Sequence, residues 1–134
     1  MLDHIGLAVA DLDRAKAFYL AALAPLDIGV VMEVTAEQTG AGAHVGLGAK
    51  DIPFFWIGDS ASAAGSVHVA FTARSREAVD AFHKAALEAG GSDNGAPGLR
   101  PHYHPDYYGA FILDPDGHNI EAVCHKPQAD TNSR

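Results

Sequence analysis

Cysteine is almost absent from this chain. Cys124 stands alone among 134 residues, so no internal disulfide can form and nothing calls for an oxidising compartment. Basic residues are scarce as well. Nine Lys and Arg against 17 Asp and Glu give a formal net charge of −8, and no basic run occurs. The release of counterions that drives binding to nucleic acid is therefore missing, and nucleic acid is not expected as a partner. No apolar stretch approaches the roughly 20 residues that span a bilayer, and no basic segment precedes an apolar one at the N-terminus. No membrane partner is expected either, and the expected location is cytoplasmic.

What is present is ordinary core material. Hydrophobic residues make up 48% and charged residues 19%, enough for one compact unit of two small halves, with a polar tail at 127–134. The halves show themselves as a repeat. An offset of 64 residues lays His4 on His68, and over the twenty positions from His4 to Leu23 six residues are identical: His4/His68, Ala17/Ala81, Phe18/Phe82, Ala21/Ala85, Ala22/Ala86 and Leu23/Leu87.

Each copy begins with alternation and then changes period. Ile5, Leu7 and Val9 form one face of a strand, with Leu2, His4, Gly6 and Ala8 on the other. Asp11 is placed to cap a helix whose apolar stripe is Ala15, Phe18, Tyr19 and Ala22, and Pro25 is expected to stop it. In the second copy Val67, Val69 and Phe71 alternate with His68 and Ala70. Ser75 caps a helix striped by Val79, Phe82, Ala86 and Leu87, and Gly90-Gly91 ends it. Shorter strands follow at 28–34, 43–47 and 53–57, then near Ser92 and at 107–113 and 118–125, the last two joined by a tight turn at Asp114-Pro115-Asp116-Gly117. The pattern is strand, helix and three strands, twice. It divides the chain into a first βαβββ module at 1–59, a linker at 60–65, a second module at 66–126 and the tail.

His4 and His68 hold equivalent places in the two copies, on the strand face away from the bulky apolar residues. Glu121 shares a face with Asn119 and Val123 in the last strand, opposite Ile120, Ala122 and Cys124. Two imidazoles and a carboxylate from three strands suit Mn²⁺, Fe²⁺, Co²⁺, Ni²⁺ or Zn²⁺ and leave coordination positions for a substrate, provided the sheets curve round a common cavity. Residues of these types can equally be satisfied by hydrogen bonds in a core, and spacing alone leaves both accounts open.

Three segments are shared with a known family: Leu2-Asp3-His4-Ile5-Gly6-Leu7-Ala8-Val9, Val67-His68-Val69-Ala70-Phe71, and Asp114-Pro115-Asp116-Gly117-His118-Asn119-Ile120-Glu121. Through them the chain, from Leu2 to Lys126, resembles the vicinal oxygen chelate superfamily of glyoxalases, bleomycin-resistance proteins and extradiol dioxygenases. The resemblance implies an α+β fold in which two βαβββ modules form a curved, cup-shaped mixed sheet round a central cavity, with helices outside. It implies a divalent metal on His4, His68 and Glu121, which binds a small-molecule substrate through neighbouring oxygens and stabilises an oxyanion, as lyase, isomerase, dioxygenase or thiol transferase. A homodimer is also implied, in which modules can pair across subunits. Glyoxalase I-like members add a fourth ligand in the first module. The offset of 64 carries Glu121 to Ile57, which is no ligand, and Asp59, on the same face, reads as part of a turn. The alternative function is sequestration of an antibiotic or similar small molecule without a metal, as in bleomycin-resistance relatives.

The segment 99–108 is dense in imidazoles and phenols. His102 and His104 are candidate acid–base groups, and Arg100 is a candidate partner for an anionic substrate. Tyr103 and Trp56 are candidate substrate contacts. His44, His83, His118 and His125 have no evident partner in the sequence, and solvated or capping roles are expected for them.

Overall fold

The computed structural model describes residues 2–40, 42–59 and 65–128. In chain order the elements are β1 (Ile5–Val9), α1 (Leu12–Leu23), a 3-10 turn (Ala24–Leu26), β2 (Gly29–Val34), α2 (Ala36–Thr39), β3 (His44–Ala49), β4 (Ile52–Asp59), β5 (His68–Thr72), α3 (Arg76–Glu88), β6 (Ser92–Leu99), β7 (Tyr108–Leu113) and β8 (Asn119–Cys124). They build an α+β fold of two open four-stranded mixed sheets, ordered β1-β4-β3-β2 and β5-β8-β7-β6. In each sheet the first strand lies parallel to the last, and the remaining pairs are antiparallel. The expected linker at 60–65 falls outside the described residues except for Gly65, as does the tail beyond Gln128.

The helices form where their caps and stripes require. The Asp11 side chain accepts from the Arg14 amide and the Ser75 side chain from that of Ala78, each satisfying an otherwise unpaired N–H of a first turn. Phe18 and Phe82, equivalent in the repeat, are both buried, as are Ala22 and Ala86. Pro25 does not end the helical path outright. It sits in the first turn of the 3-10 segment, where its missing N–H is harmless. The turn α2 was not expected, because four residues show no period; it is set by reciprocal bonds between Thr35 and Gln38. β6 is a full eight-residue strand despite Pro97, because it is the edge of its sheet and is bulged at two places.

The two halves share one core. An edge-to-face chain of rings runs from Phe18 to Tyr19 in α1, to Phe55 in β4 and on to Phe71 in β5, with centroid separations of 4.9, 5.0 and 5.1 Å. Each such pair adds about 1 kcal/mol beyond its buried area, so the modules are joined by packing as well as by chain.

Polar contacts from one turn complete the joint. In the turn from Asp114 to Gly117, whose Gly117 amide donates to the Asp114 carbonyl at 2.9 Å, the Asp114 carboxylate accepts from the amides of Asp116 and His118 and, at 2.5 Å, from the Tyr19 hydroxyl of α1. Asp116 accepts from the Ala10 amide. His118 corrects the expectation of a solvated residue: it is buried, its Nδ1 accepts from the Val67 amide and its Nε2 donates to the Ala8 carbonyl, 3.1 Å away. Burial and the Asp114 carboxylate hold the Tyr19 hydroxyl far above its ordinary pKa, so it remains a donor.

Replacing Asp114 with Ala removes an acceptor from one hydroxyl and two amides. It is expected to cost on the order of 3 kcal/mol, read as a lower midpoint in urea unfolding. An unfolding free energy within a few tenths of a kcal/mol of wild type would show that the turn does not hold the modules together.

Candidate functional site

β5 and β8 run parallel with His68 opposite Asn119 and Ala70 opposite Glu121. That register sets the His68 imidazole beside the Glu121 carboxylate, Nε2 to Oε1 3.1 Å, with the carboxylate buried and the imidazole half exposed. The other ring nitrogen, Nδ1, lies 3.0 Å from the carbonyl oxygen of Asn119. A carbonyl only accepts, so Nδ1 carries the ring proton and Nε2 turns a lone pair toward Glu121. An ionised carboxylate also presents only lone pairs. The contact is therefore stable only with a proton or a metal ion between the two atoms. A nitrogen and a carboxylate oxygen, one of them fixed in tautomer by a backbone carbonyl, is a donor pair that fits a first-row divalent ion.

Two further residues shape this pair, and the sequence reading had given neither a role. The Tyr107 hydroxyl donates to Oε2 of Glu121. Phe111, the register partner of Glu121 on β7, lies nearly parallel to the His68 ring, with centroids 6.1 Å apart. The Tyr107 hydroxyl is pushed up to about 12, first by burial, then by its hydrogen bond to Glu121 and the charge of that carboxylate. Tyr107 is thus a permanent donor near neutral pH.

His4 lines the same cleft of about 480 Å³ as His68, together with Ile5, Phe54, Phe55 and Phe71. Its Nδ1 is bonded to Asp3, 2.7 Å away, and its side chain is 59% exposed. Among the described residues of one chain no three His, Cys, Asp or Glu side chains converge to hold a metal. The structure thus brings His68 and Glu121 together and leaves His4 largely exposed beside Asp3, in the same cleft as His68.

The counterpart of Glu121 in the first module is Trp56, not Ile57. Gly6, equivalent to Ala70, pairs with Trp56 just as Ala70 pairs with Glu121, whereas Ile57 is fully buried in the core. The Trp56 indole packs against Gly46, where any Cβ would stand 2.8 Å from the ring, and His44 packs against Gly58, where a Cβ would stand 2.6 Å from its ring. These rings face a shallow cavity of about 240 Å³ with Asp59 at its rim. Asp59 is the last residue of β4, opposite Val9, and not part of a turn.

In the 99–108 segment, His104 accepts from the Asp106 amide through Nδ1, and its Nε2 lies 2.7 Å from Nδ1 of His125. Tyr107 packs edge-on against both imidazoles. Tyr103, largely exposed, lies between His102 and Tyr107. His125 is therefore partnered, contrary to expectation, and so is His83, whose Nε2 is bonded to Asp93. That bond, followed by one from the Gly95 amide, holds the exposed Asp93 carboxyl below its usual range.

Sheet order, repeat and site geometry together define a class of protein. The model of the Glyoxalase/Bleomycin resistance protein/Dioxygenase superfamily matches residues 1–122, and the chain belongs to that superfamily. A glyoxalase/bleomycin resistance protein from Albidiferax ferrireducens is 30% identical with a TM-score of 0.74, over 92% of this chain and 97% of that one. Two solved structures share the fold at lower identity. A glutamate mutant of the fosfomycin resistance protein FosX from Listeria monocytogenes, solved with Mn(II) and a dihydroxypropylphosphonic acid, is 19% identical with a TM-score of 0.65, over 92% and 91%. Glyoxalase I from Zea mays is 21% identical with a TM-score of 0.69, over 91% of this chain and 45% of that one. No curated protein matches the chain.

Tyr108, pushed up to about 12 by burial and then by its bond to Asp80, behaves like Tyr107. Both folded values exceed the ordinary 10.0 of an unfolded tyrosine, so the stability they contribute is complete below pH 10 and lost as pH rises through about 12. The urea midpoint is expected to fall across that window, and Tyr107→Phe to remove part of the fall. A midpoint flat from pH 10 to 12 would contradict the hydrogen bonds assigned to both phenols.

Proposed function

We propose that the chain is a metal-dependent enzyme of the superfamily, holding one divalent transition-metal ion (Mn, Fe, Co, Ni or Zn) on His68 and Glu121, with His4 as third ligand. The observation that carries this is the approach of two lone-pair-bearing atoms, Nε2 of His68 and Oε1 of Glu121, to 3.1 Å. Among the described residues His4 joins no group of ligands in its own chain, and it is largely exposed, so in this reading it reaches the ion held by a second copy, and the active form is a homodimer. A divalent ion bound there supplies Lewis acidity to a small substrate gripped through neighbouring oxygens, where charge develops on oxygen.

The chain's own residues do the rest. Tyr107 fixes Glu121 through Oε2, and Asn119 fixes the tautomer of His68. His104, coupled to His125, is the proposed proton carrier beside Tyr107, with His102 as its neighbour in the same loop. Trp56 and Tyr103 are proposed as apolar substrate contacts. The setting is cytosolic in this reading, in keeping with a free and buried Cys124, and no described helix is long and apolar enough to cross a membrane.

A second reading, sequestration of a small molecule without turnover, is favoured by one feature: the first module presents Trp56 where the second presents Glu121.

Metal content by mass spectrometry separates the two. Purified wild-type protein is expected to carry about one transition metal per chain, and His68→Ala with Glu121→Ala to carry none. Mixing His4→Ala chains with His68→Ala chains should restore part of the loss through hybrid dimers, which chains with intact private sites would not show. Wild type free of metal even after reconstitution would overturn the metalloenzyme reading and leave sequestration in its place.

A further inference from the structure

The open face of the second sheet carries a cation that no described acidic side chain answers. Arg100 directly follows β6, and its guanidinium folds back over that strand. Nη2 donates to the Ala96 carbonyl at 2.8 Å, and the group stands 5.5 Å from the centroid of the Phe111 ring. Two glycines make its room: a Cβ on Gly95 would lie 3.3 Å from Nη2, and one on Gly98 would lie 3.2 Å from Nη1. Among the described residues no Asp or Glu forms an ion pair with it, in a chain that carries 17 acids. Of the other described arginines, Arg74 and Arg76 pair with Asp27 and Asp106, and Arg14 forms no ion pair. The Arg100 guanidinium is set in place by a ring and a backbone carbonyl, which fix its position without neutralising it.

Its position bears on the site. Phe111 is also the ring against which His68 lies, and it pairs with Glu121 across β7 and β8. The Arg100 amide donates to the carbonyl of Tyr107, whose hydroxyl holds Glu121. The guanidinium and the His68–Glu121 pair are thus arranged round one aromatic ring. Glu121 forms no ion pair with the guanidinium; its two oxygens face Tyr107 and His68.

We infer that Arg100 determines specificity: the substrate carries an oxyanion group, carboxylate or phosphonate, in addition to its neighbouring oxygens, and the guanidinium takes that group. Guanidinium N–H donors match either oxyanion two by two, and most of those of Arg100 remain available. A neutral substrate would leave the charge unanswered. The inference deepens the metal-centre reading of His68 and Glu121 and rests on it for the neighbouring oxygens.

Three probes differing in one substituent test it: catechol, 3,4-dihydroxybenzoate and 3,4-dihydroxyphenylphosphonate. They are titrated by calorimetry into wild type and Arg100→Gln, both metal-free and Mn²⁺-loaded, with Mn²⁺ content read on the same samples. Wild type is expected to bind at least one anionic probe about tenfold more tightly than catechol, and the anion that gains more identifies the group. Arg100→Gln should bring both anionic probes to the level of catechol, with catechol affinity and Mn²⁺ content unchanged. A preference that survives in Arg100→Gln, equal affinities in wild type, or no binding of any probe would overturn the inference. Failures of the two readings are distinguishable. Absent Mn²⁺ uptake with an Arg100-dependent anion preference condemns the metal centre alone, and Mn²⁺ uptake with no anion preference condemns Arg100 alone.

Discussion

The docking of one short turn is the constraint on which the rest depends. Asp114 to His118 takes the Tyr19 hydroxyl of the first helix, the Ala10 amide and the Ala8 carbonyl, and so fastens the second module to the first. The same residues fix the start of the pair on which the site is built. His118 receives the Val67 amide, the Asn119 amide donates to the Val67 carbonyl, and one residue further along His68 donates to the Asn119 carbonyl. From there the parallel register delivers Glu121 to His68. The stability of the joint and the geometry of the site are therefore one set of contacts, and a change in the turn is felt in both.

That arrangement explains why a half-exposed imidazole can be held in one tautomer. Free in solvent, a histidine exchanges between its two neutral forms. Here a backbone carbonyl, itself fixed by the strand, takes the proton on Nδ1, and the lone pair on Nε2 is committed to the side on which a buried carboxylate stands. Tyr107 bonds to the second oxygen of the carboxylate and Phe111 flanks the imidazole. The first module is built differently at the corresponding place. Trp56 stands over Gly46 there, with His44 over Gly58, so an aromatic side chain occupies the place where the second module has a carboxylate.

Much of this was legible in the sequence, and what was not has physical causes. The repeat, both helix caps and the faces of β1, β5 and β8 follow from period and capping chemistry, which are local. The belonging of the chain to its superfamily was carried by three short segments, one of them the turn itself. The offset of 64 located the helices but misplaced the last strand of the first module by one residue. Between helix and third strand the first module carries α2 and the second a long loop, and a one-residue slip exchanges the two faces of a strand. His118 looked solvated because its partners Ala8 and Val67 lie 110 and 51 positions away, which no local pattern records. Tyr107 stood in a segment already singled out for its imidazoles. Its role depends on the register of β7 with β8, which becomes visible only once the sheet is assembled.

The central claim is that positive charge belonging to a bound metal ion lies between Nε2 of His68 and Oε1 of Glu121. Diffraction from crystals grown with Mn²⁺, recorded for anomalous scattering from manganese, tests it most directly. The account predicts an anomalous peak bonded to both atoms and to His4 of a second chain, with Nδ1 of His68 still donating to Asn119. No peak at that place, with the imidazole and the carboxylate still in direct contact, would contradict it and assign the charge between them to a ring proton.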